Sequence, residues 1–230
     1  MNIAVLLAGG IGTRLKTEIP KQYIKVNNKM IITYTAEQLL NSTCIDGIVI
    51  VADNRYHKII LDELGTNSIS INKFMGFAKP GNNRQESVYN ALVYAKDICP
   101  DIDYVMIHDA ARPKISQKLI KDCFDKVVGH DGVMPVLPMK DTVYLCEDGN
   151  SVSGLLDRSK IYAGQAPEVF VFSKYLEANK KLLPDRIFSI NGSSEPAVLA
   201  GMDIAVIRGE EDNFKITTEN DLKRFEEIVL

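Results

Sequence analysis

The chain opens with MNIAVLLAGGIGTRL (residues 1–15), in which a short apolar run leads directly into a glycine-rich loop. The apolar run has the length and composition of a strand buried on both faces, and it is far too short to span a bilayer. It lacks the basic segment and the small-residue cleavage pattern of a signal peptide, so we do not expect one. A buried strand followed by a glycine-rich turn is typical of α/β folds.

Similar apolar runs recur further along the chain and alternate with segments of helical periodicity. They predict strands at residues 3–7, 47–52, 104–108, 132–138 and 203–208. Apolar residues spaced by three and four predict helices at about 84–99, 32–40 and 116–128, and a last helix that begins after Thr218 as N-cap. This alternation predicts a Rossmann-like α/β three-layer sandwich with a mainly parallel sheet.

Residues 141–159 break this alternation. Two short β-prone pieces, 142–146 and 151–155, flank the dipeptide Asp148-Gly149, which is a hairpin signal. Because two isolated strands are only marginally stable in water, we expect a protruding β-hairpin arm that packs on a second copy of the chain, giving a homodimer. Without any linker-like tract, residues 1–230 are expected to form one domain.

The composition excludes several classes of protein. The 230-residue chain is 46% hydrophobic and 25% charged, which is ordinary for a soluble protein. Its net charge of −3 argues against a nucleic-acid or membrane-surface partner. Cys44, Cys99, Cys123 and Cys146 are widely spaced, as expected of reduced thiols in a cytoplasmic protein. Any site for anionic ligands must therefore concentrate its cations locally.

The glycine-rich loop is the first candidate site. Glycines allow backbone N–H groups to turn toward a phosphate chain. The loop is neither GxxxxGK[ST] nor a complete GxGxxG motif, and by itself it fits a structural turn nearly as well as a phosphate site. Three cations, Arg14, Lys16 and Lys21, follow within eight residues, and they favour phosphate binding.

Several motifs together resemble a known enzyme family. The loop with PKQ (20–22) is similar to the signature of nucleoside-diphosphate-sugar pyrophosphorylases. It is followed in order by GNNRQESV (81–88), HDAARP (108–113), DTV (141–143), DR (157–158), QAP (165–167) and NFKIT (213–217). The whole set resembles the 2-C-methyl-D-erythritol 4-phosphate cytidylyltransferases and their relatives, the ribitol-5-phosphate cytidylyltransferases.

This resemblance implies transfer of CMP from CTP to a small polyol phosphate, with release of pyrophosphate and with Mg²⁺ or another divalent cation. The implied catalytic residues are Arg14, Lys21 and Lys215. The implied nucleotide-binding residues are Ala8, Gly9, Gly10, Gly12, Thr13, Gly81, Arg84 and Ser87. The implied substrate-binding residues are Asp109, Arg112, Lys215 and, reaching across a dimer, Thr142 and Arg158. Asp109 is also the implied metal ligand.

Structural roles remain open for many of these residues. Asp109 also fits the role of a turn residue. Arg112 fits that of a surface ion-pair partner, and Lys215 fits that of a lysine in a solvent-exposed turn. Thr142 and Arg158 could be merely exposed polar residues of the arm. Asn83 and Glu86, which flank Arg84, also read as a capping pair at a helix start. His108 is expected to be structural rather than a base, because an attacking phosphate is already anionic near neutral pH.

The chain departs from the family pattern at two places. QAPE (165–168) stands where the family usually has Gln-Thr-Pro-Gln, and NGSSEP (191–196) replaces a Thr-Asp-Asp segment. Both changes fall on the acceptor side, so the sequence specifies the CTP chemistry better than the polyol phosphate. Two other classes of function stay open at this point: a sensor or scaffold that kept the fold without turnover, and a nicotinamide-dependent dehydrogenase.

Overall fold

The computed structural model describes residues 1–10, 19–67 and 69–229. Its strands are β1 (Asn2–Leu7), β2 (Lys25–Val26), β3 (Lys29–Met30), β4 (Gly47–Val51), β5 (Phe74–Ala78), β6 (Tyr104–Asp109), β7 (Gly132–Pro138), β8 (Val143–Leu145), β9 (Gly154–Leu156), β10 (Tyr162–Gly164), β11 (Glu168–Val171) and β12 (Ile204–Arg208). Its α-helices are α1 (Ile31–Asn41), α2 (His57–Thr66), α3 (Arg84–Ile98), α4 (Gln117–Val127), α5 (Phe172–Lys180), α6 (Glu195–Leu199) and α7 (Glu219–Val229).

Eight strands form one central sheet in the order β10-β7-β11-β6-β1-β4-β5, with β12 paired to β7. The pairs β6–β1, β1–β4, β4–β5 and β7–β12 are parallel. Strands β10 and β11 run antiparallel to their neighbours. The predicted α/β fold with a mainly parallel sheet is therefore confirmed.

The apolar runs form strands because helices cover both faces of the sheet. On one face, Leu6 and Ile48 pack in a core with α1, α2 and α4. On the other face, Val5 and Ile107 pack against α3 and α5. A strand buried on both faces has no polar alternation, and this is why β1, β4 and β6 could be predicted from the sequence.

Capping contacts set the helix starts. The Asn83 side chain accepts a hydrogen bond from Glu86 N (2.8 Å), so α3 begins at Arg84. Ser116 accepts one from Leu119 N (2.9 Å) at the start of α4. Thr218 Oγ1 accepts one from Asp221 N (3.2 Å), which confirms the predicted start of α7. None of the helices in the described part of the chain is long and apolar enough to cross a membrane.

The predicted hairpin is present as the separate pair β8–β9, with Val143 opposite Leu156. Its second strand lies at Gly154–Leu156, later than the predicted 151–155, because Asp148 builds a wider turn. The Asp148 carboxylate accepts hydrogen bonds from Asn150 N and Ser151 N, both 2.9 Å. This turn extends the loop and delays the second strand.

Candidate active site

A cavity of about 380 Å³ opens at the carboxyl ends of β1 and β6. Ligands bind at this edge in open α/β sheets. The wall brings together five separate segments of the chain. Its described residues are Leu7, Gly9, Gly10, Lys21, Gln22, Gly81, Asn82, Asn83, Arg84, Ser87, Asp109, Ala111, Lys215 and Thr217.

The glycine-rich loop forms one side of the cavity. Gly9 is required there, because a Cβ on it would lie 2.8 Å from the Cβ of Pro80. The Gln22 side-chain amide holds the loop by donating to Ala8 O (2.6 Å) and Gly10 O (2.8 Å). Gln22 was not among the predicted site residues, although its place in PKQ beside the loop was a usable signal. Gly12, Thr13, Arg14 and Lys16 lie outside the described residues.

Lys21 and Lys215 reach the cavity from opposite ends of the chain. Lys21 Nζ donates to Ile216 O (2.6 Å), so PKQ and NFKIT are in direct contact. Lys215 Nζ lies 3.0 Å from Asp109 Oδ2. The two predicted phosphate-binding lysines thus line the same cavity as the glycine-rich loop.

Asp109 lies at the centre of a cluster of charges. Arg84 Nη2 is 3.1 Å from its Oδ1, and Lys215 Nζ and Arg112 Nε are 3.0 Å and 3.5 Å from its Oδ2. Burial by itself raises the pKa of Asp109, but Arg84, Lys215 and Arg112 outweigh burial and hold this pKa far below its ordinary value. Asp109 is therefore a carboxylate at every physiological pH. Its backbone also starts a turn, because its carbonyl oxygen accepts from Arg112 N (3.0 Å).

Arg112 is oriented inward rather than toward solvent. Its Nη1 donates to Asn213 O (2.8 Å), and its side chain is 13% exposed. Arg112 does not belong to the described wall of the cavity. Arg112 therefore contacts both Asp109 and the NFKIT segment. It is not merely a member of a surface ion pair.

His108 is fully buried and does not belong to the described wall of the cavity. Its Nε2 lies 3.2 Å from Arg112 O, and its Nδ1 has no hydrogen-bond partner among the described residues. Burial lowers the pKa of His108 to about 4, so the ring is neutral near pH 7. Both observations agree with the expected structural role.

The GNNRQESV segment serves as a helix cap and as cavity wall at once. Asn83 caps α3, yet Gly81, Arg84 and Ser87 line the cavity. Gly81 N donates to Ser87 Oγ (2.9 Å), and a Cβ on Gly81 would lie 2.5 Å from Glu86 Cβ. The capping interpretation and the nucleotide-binding interpretation of this loop are therefore compatible.

The arm residues lie apart from this cavity within one chain. Thr142 is exposed just before β8. Arg158 is also exposed, and its Nη1 donates to Lys140 O (2.7 Å). Neither residue belongs to the described wall, so their predicted roles depend on a second subunit.

The two departures from the family pattern lie near Arg84. In one of them, Ser193 accepts a hydrogen bond from Arg84 Nη1. In the other, burial raises the pKa of Glu168, and the charge of Arg84 opposes this rise. Glu168 and Ser193 were noted in the sequence only as departures, without a role. The sequence contained no signal for their proximity to Arg84, because it depends on where β11 and the segment before α6 lie in the fold.

Sequence comparisons relate the chain to known enzymes. The sequence profile of the family described as "IspD: 2-C-methyl-D-erythritol 4-phosphate cytidylyltransferase" matches residues 2–230. The 2-C-methyl-D-erythritol 4-phosphate cytidylyltransferase of Petrotoga mobilis is 34% identical over 224 residues, covering 97% of this chain and 96% of the relative. The ribitol-5-phosphate cytidylyltransferase of Streptococcus agalactiae is 28% identical over 231 residues, covering 99% and 95%.

A solved structure shows the same fold. The crystal structure of 4-diphosphocytidyl-2C-methyl-D-erythritol synthase from Anaerococcus prevotii superposes with a TM-score of 0.84 at 23% identity, covering 99% of this chain and 95% of that one. The fold, the order of the motifs along the sequence and the profile match over nearly the whole length all point the same way. The chain belongs to the 2-C-methyl-D-erythritol 4-phosphate cytidylyltransferase (IspD) family.

Proposed function

We propose that this chain is a nucleotidyltransferase, formed as a single domain, that transfers CMP from CTP to a small polyol phosphate. The observation that carries the proposal is one cavity in which Lys21, Arg84 and Lys215 face a glycine-rich loop at the edge of the sheet. Local cations of this kind offset the net charge of −3 that would otherwise repel a triphosphate. Family membership does not support the dehydrogenase alternative.

The chemistry requires positioning and charge stabilisation more than covalent catalysis. A phosphate oxygen of the acceptor attacks the α-phosphorus of CTP, the bond from that phosphorus to the bridging oxygen breaks, and pyrophosphate leaves. Lys21 and Lys215 stabilise the charge that develops on the phosphate oxygens. The acceptor phosphate is anionic near neutral pH, so the neutral, buried His108 is not needed as a base.

A divalent cation fits this site as a companion of the triphosphate. Mg²⁺ typically binds through one or two carboxylates together with substrate phosphates and waters. Asp109 supplies one carboxylate in the cavity wall, and the described residues contain no cluster of three or more acidic, His or Cys side chains that could hold a metal. Asp109 would therefore contribute one ligand, and the cation would neutralise phosphate charge.

The acceptor is a small polyol phosphate of the methylerythritol or ribitol type. The relatives named above include enzymes for both substrates. Ala166 is buried at the position where the family usually has threonine, so one hydroxyl of the acceptor side is missing. We infer that the chain binds its acceptor with a different set of contacts from a typical family member.

A homodimer built through the arm would complete the site. The arm exposes five large apolar side chains to solvent, with Val152 at 63% and Leu155 at 68% exposure. The others are Tyr144, Leu145 and Leu156. A two-fold partner would cover them and would bring Thr142 and Arg158 to the neighbouring cavity. We expect the active species to be this homodimer in the cytoplasm.

Pyrophosphate release tests the function directly. The purified chain is mixed with Mg²⁺, each of the four ribonucleoside triphosphates, and 2-C-methyl-D-erythritol 4-phosphate, ribitol 5-phosphate or another pentitol phosphate. We expect release with CTP and one acceptor, and strong loss of release in Lys215→Ala. Tight CTP binding without turnover on any acceptor would favour the sensor or scaffold alternative.

A further inference from the structure

The segment that carries Lys215 at the cavity continues directly into helix α7. The next residue, Ile216, joins two other parts of the active site through its backbone. Its N–H donates to Ala111 O of the HDAARP loop (2.8 Å), and its carbonyl accepts from Lys21 Nζ (2.6 Å). The Ile216 side chain is fully buried in a small core with Phe225 of α7. The position of Ile216 therefore helps to determine where the Lys21 ammonium lies.

A carboxylate in the first turn of α7 holds this segment from the other side. Asp221 Oδ2 accepts hydrogen bonds from Thr217 N (2.9 Å), Thr217 Oγ1 (2.8 Å) and Thr218 N (2.8 Å). Hydrogen bonds to an ionised acceptor are shorter and stronger than those between neutral groups. Burial raises the pKa of Asp221, but the bonds from Thr217 and Thr218 outweigh burial and lower this pKa. Asp221 is therefore ionised near neutral pH.

Asp221 and Lys21 bind the two ends of a single peptide group. The C=O of Ile216 and the N–H of Thr217 belong to the same peptide bond, whose atoms lie close to one plane. Asp221 accepts from this N–H, and Lys21 donates to this C=O. An anion at the N–H and a cation at the C=O polarise the peptide group in the same direction, so each hydrogen bond strengthens the other. Rotation of this plane would break both bonds.

Capping of α7 does not account for the bonds from Thr217. The helix already has a cap in Thr218, whose Oγ1 accepts from Asp221 N (3.2 Å), and the return bond from Thr218 N completes a capping box. Thr217 precedes this cap and lines the cavity. The two bonds from Thr217 to Asp221 therefore connect α7 to the active site beyond what a helix start requires.

We propose that Asp221 is a positioning residue for the transfer reaction: through the peptide group between Ile216 and Thr217, it holds the Lys21 ammonium at the cavity. The inference rests on the proposed function, in which Lys21 stabilises the charge that develops on the phosphate oxygens. Asp221 does not belong to the described wall of the cavity. It therefore acts through Lys21 and does not touch the substrates.

Asp221→Ala tests this role, because it removes all three hydrogen bonds to the carboxylate and leaves Lys21 itself in place. A small displacement of a group that acts in the transition state lowers the rate more than it weakens substrate binding. We expect kcat to fall about tenfold, with the Kd for CTP within about threefold of the parent. Asp221→Asn, which keeps an acceptor oxygen but loses the charge, should recover part of kcat.

A double-mutant cycle with Lys21→Ala separates positioning from general destabilisation. If Asp221 acts through Lys21, adding Asp221→Ala to Lys21→Ala should lower kcat by less than about twofold, because residues that act as a unit are not additive. A purely structural role would lower kcat by the same factor in both backgrounds.

Thr218→Val is the matched control, since it removes the cap of the same helix and leaves both bonds from Thr217 to Asp221. It keeps the branched shape of the side chain. This variant should lower the urea midpoint of unfolding and leave kcat unchanged.

The outcomes distinguish the two proposals. Pyrophosphate release gives kcat, and titration calorimetry gives the Kd for CTP. An unchanged kcat in Asp221→Ala, or an equal loss of kcat with and without Lys21, would overturn the positioning role and leave the proposed function standing. If Asp221→Ala does not fold, the same comparison is made with Asp221→Asn. A parent chain that releases no pyrophosphate with any acceptor overturns both proposals.

Discussion

Replacing Asp109 by asparagine should destabilise the protein, because it leaves three cations without their common partner. Asp109 is within 3.5 Å of Arg84, Arg112 and Lys215, and its own side chain is 10% exposed. Removing one partner of a buried ion pair costs about 3–5 kcal/mol. The side chains of Arg84 and Lys215 are 31% exposed, so solvent screens part of this cost. We therefore expect a loss of roughly 2–3 kcal/mol in the free energy of unfolding.

Urea unfolding at 25 °C and pH 7.5 measures this loss, with Asp122→Asn as control. Asp122 pairs with Lys118 on the exposed face of α4, and an exposed pair of this kind contributes little to stability. The pKa of Asp109 is lowered from 3.8, so its contribution is present above that value and is lost only as the pH falls below it. The difference between parent and Asp109→Asn should thus stay constant from pH 8 to pH 5.

The Asp109→Asn variant also tests whether Asp109 binds Mg²⁺. With one fewer carboxylate in the cavity wall, half-maximal activity should require more Mg²⁺. An Asp109→Asn protein as stable as the parent would refute the charge-cluster argument. Unchanged Mg²⁺ dependence, or turnover that EDTA leaves intact, would remove Asp109 from metal binding.

Three further predictions follow from the site. Lys21→Ala should lower kcat by about 10²–10³ with a much smaller change in CTP affinity, and a near-normal kcat in steady-state assays would remove Lys21 from the mechanism. Burial lowers the pKa of His108 from 6.5 to about 4, so its contribution is intact above pH 6.5 and is lost as the pH falls toward 4. Urea titrations should show up to about 3 kcal/mol lost over that range in the parent and less in His108→Gln. Mixing Arg158→Ala with Lys215→Ala chains should restore part of the activity after subunit exchange, because one site of the heterodimer is intact; no recovery despite verified exchange would exclude a shared site.

The sequence predicted best the strands that are covered by helices on both faces. Strands β1, β4 and β6 are covered by helices on both faces, and their apolar runs reflect this. Strand β5 was missed because it is only half buried and contains Gly76 at φ +134°. Strand β11 was missed because it is short and begins with a charged residue, Glu168.

The site followed a similar division. Lys21, Asp109 and Lys215 line one cavity, as the family resemblance implied and as the place of Asp109 at the end of a buried strand suggested, while their roles remain predictions. The sequence could not show that Asp109 would face three cations. Arg84 and Lys215 are distant from Asp109 in sequence, and only the tertiary fold brings them within 3.1 Å and 3.0 Å of its carboxylate.

The position of β11 also has a consequence for synthesis of the chain. In the sheet β11 lies between β6 and β7, although both of those strands precede it in sequence. On the ribosome, β6 and β7 are therefore made before the strand that joins them, and each presents an open edge until the arm and β11 have emerged. Open apolar edges are templates for pairing with other chains. A product that terminates within the arm should therefore be prone to aggregation. Strand β6, which ends at Asp109, gains its second neighbouring strand only after the ribosome has synthesised β11.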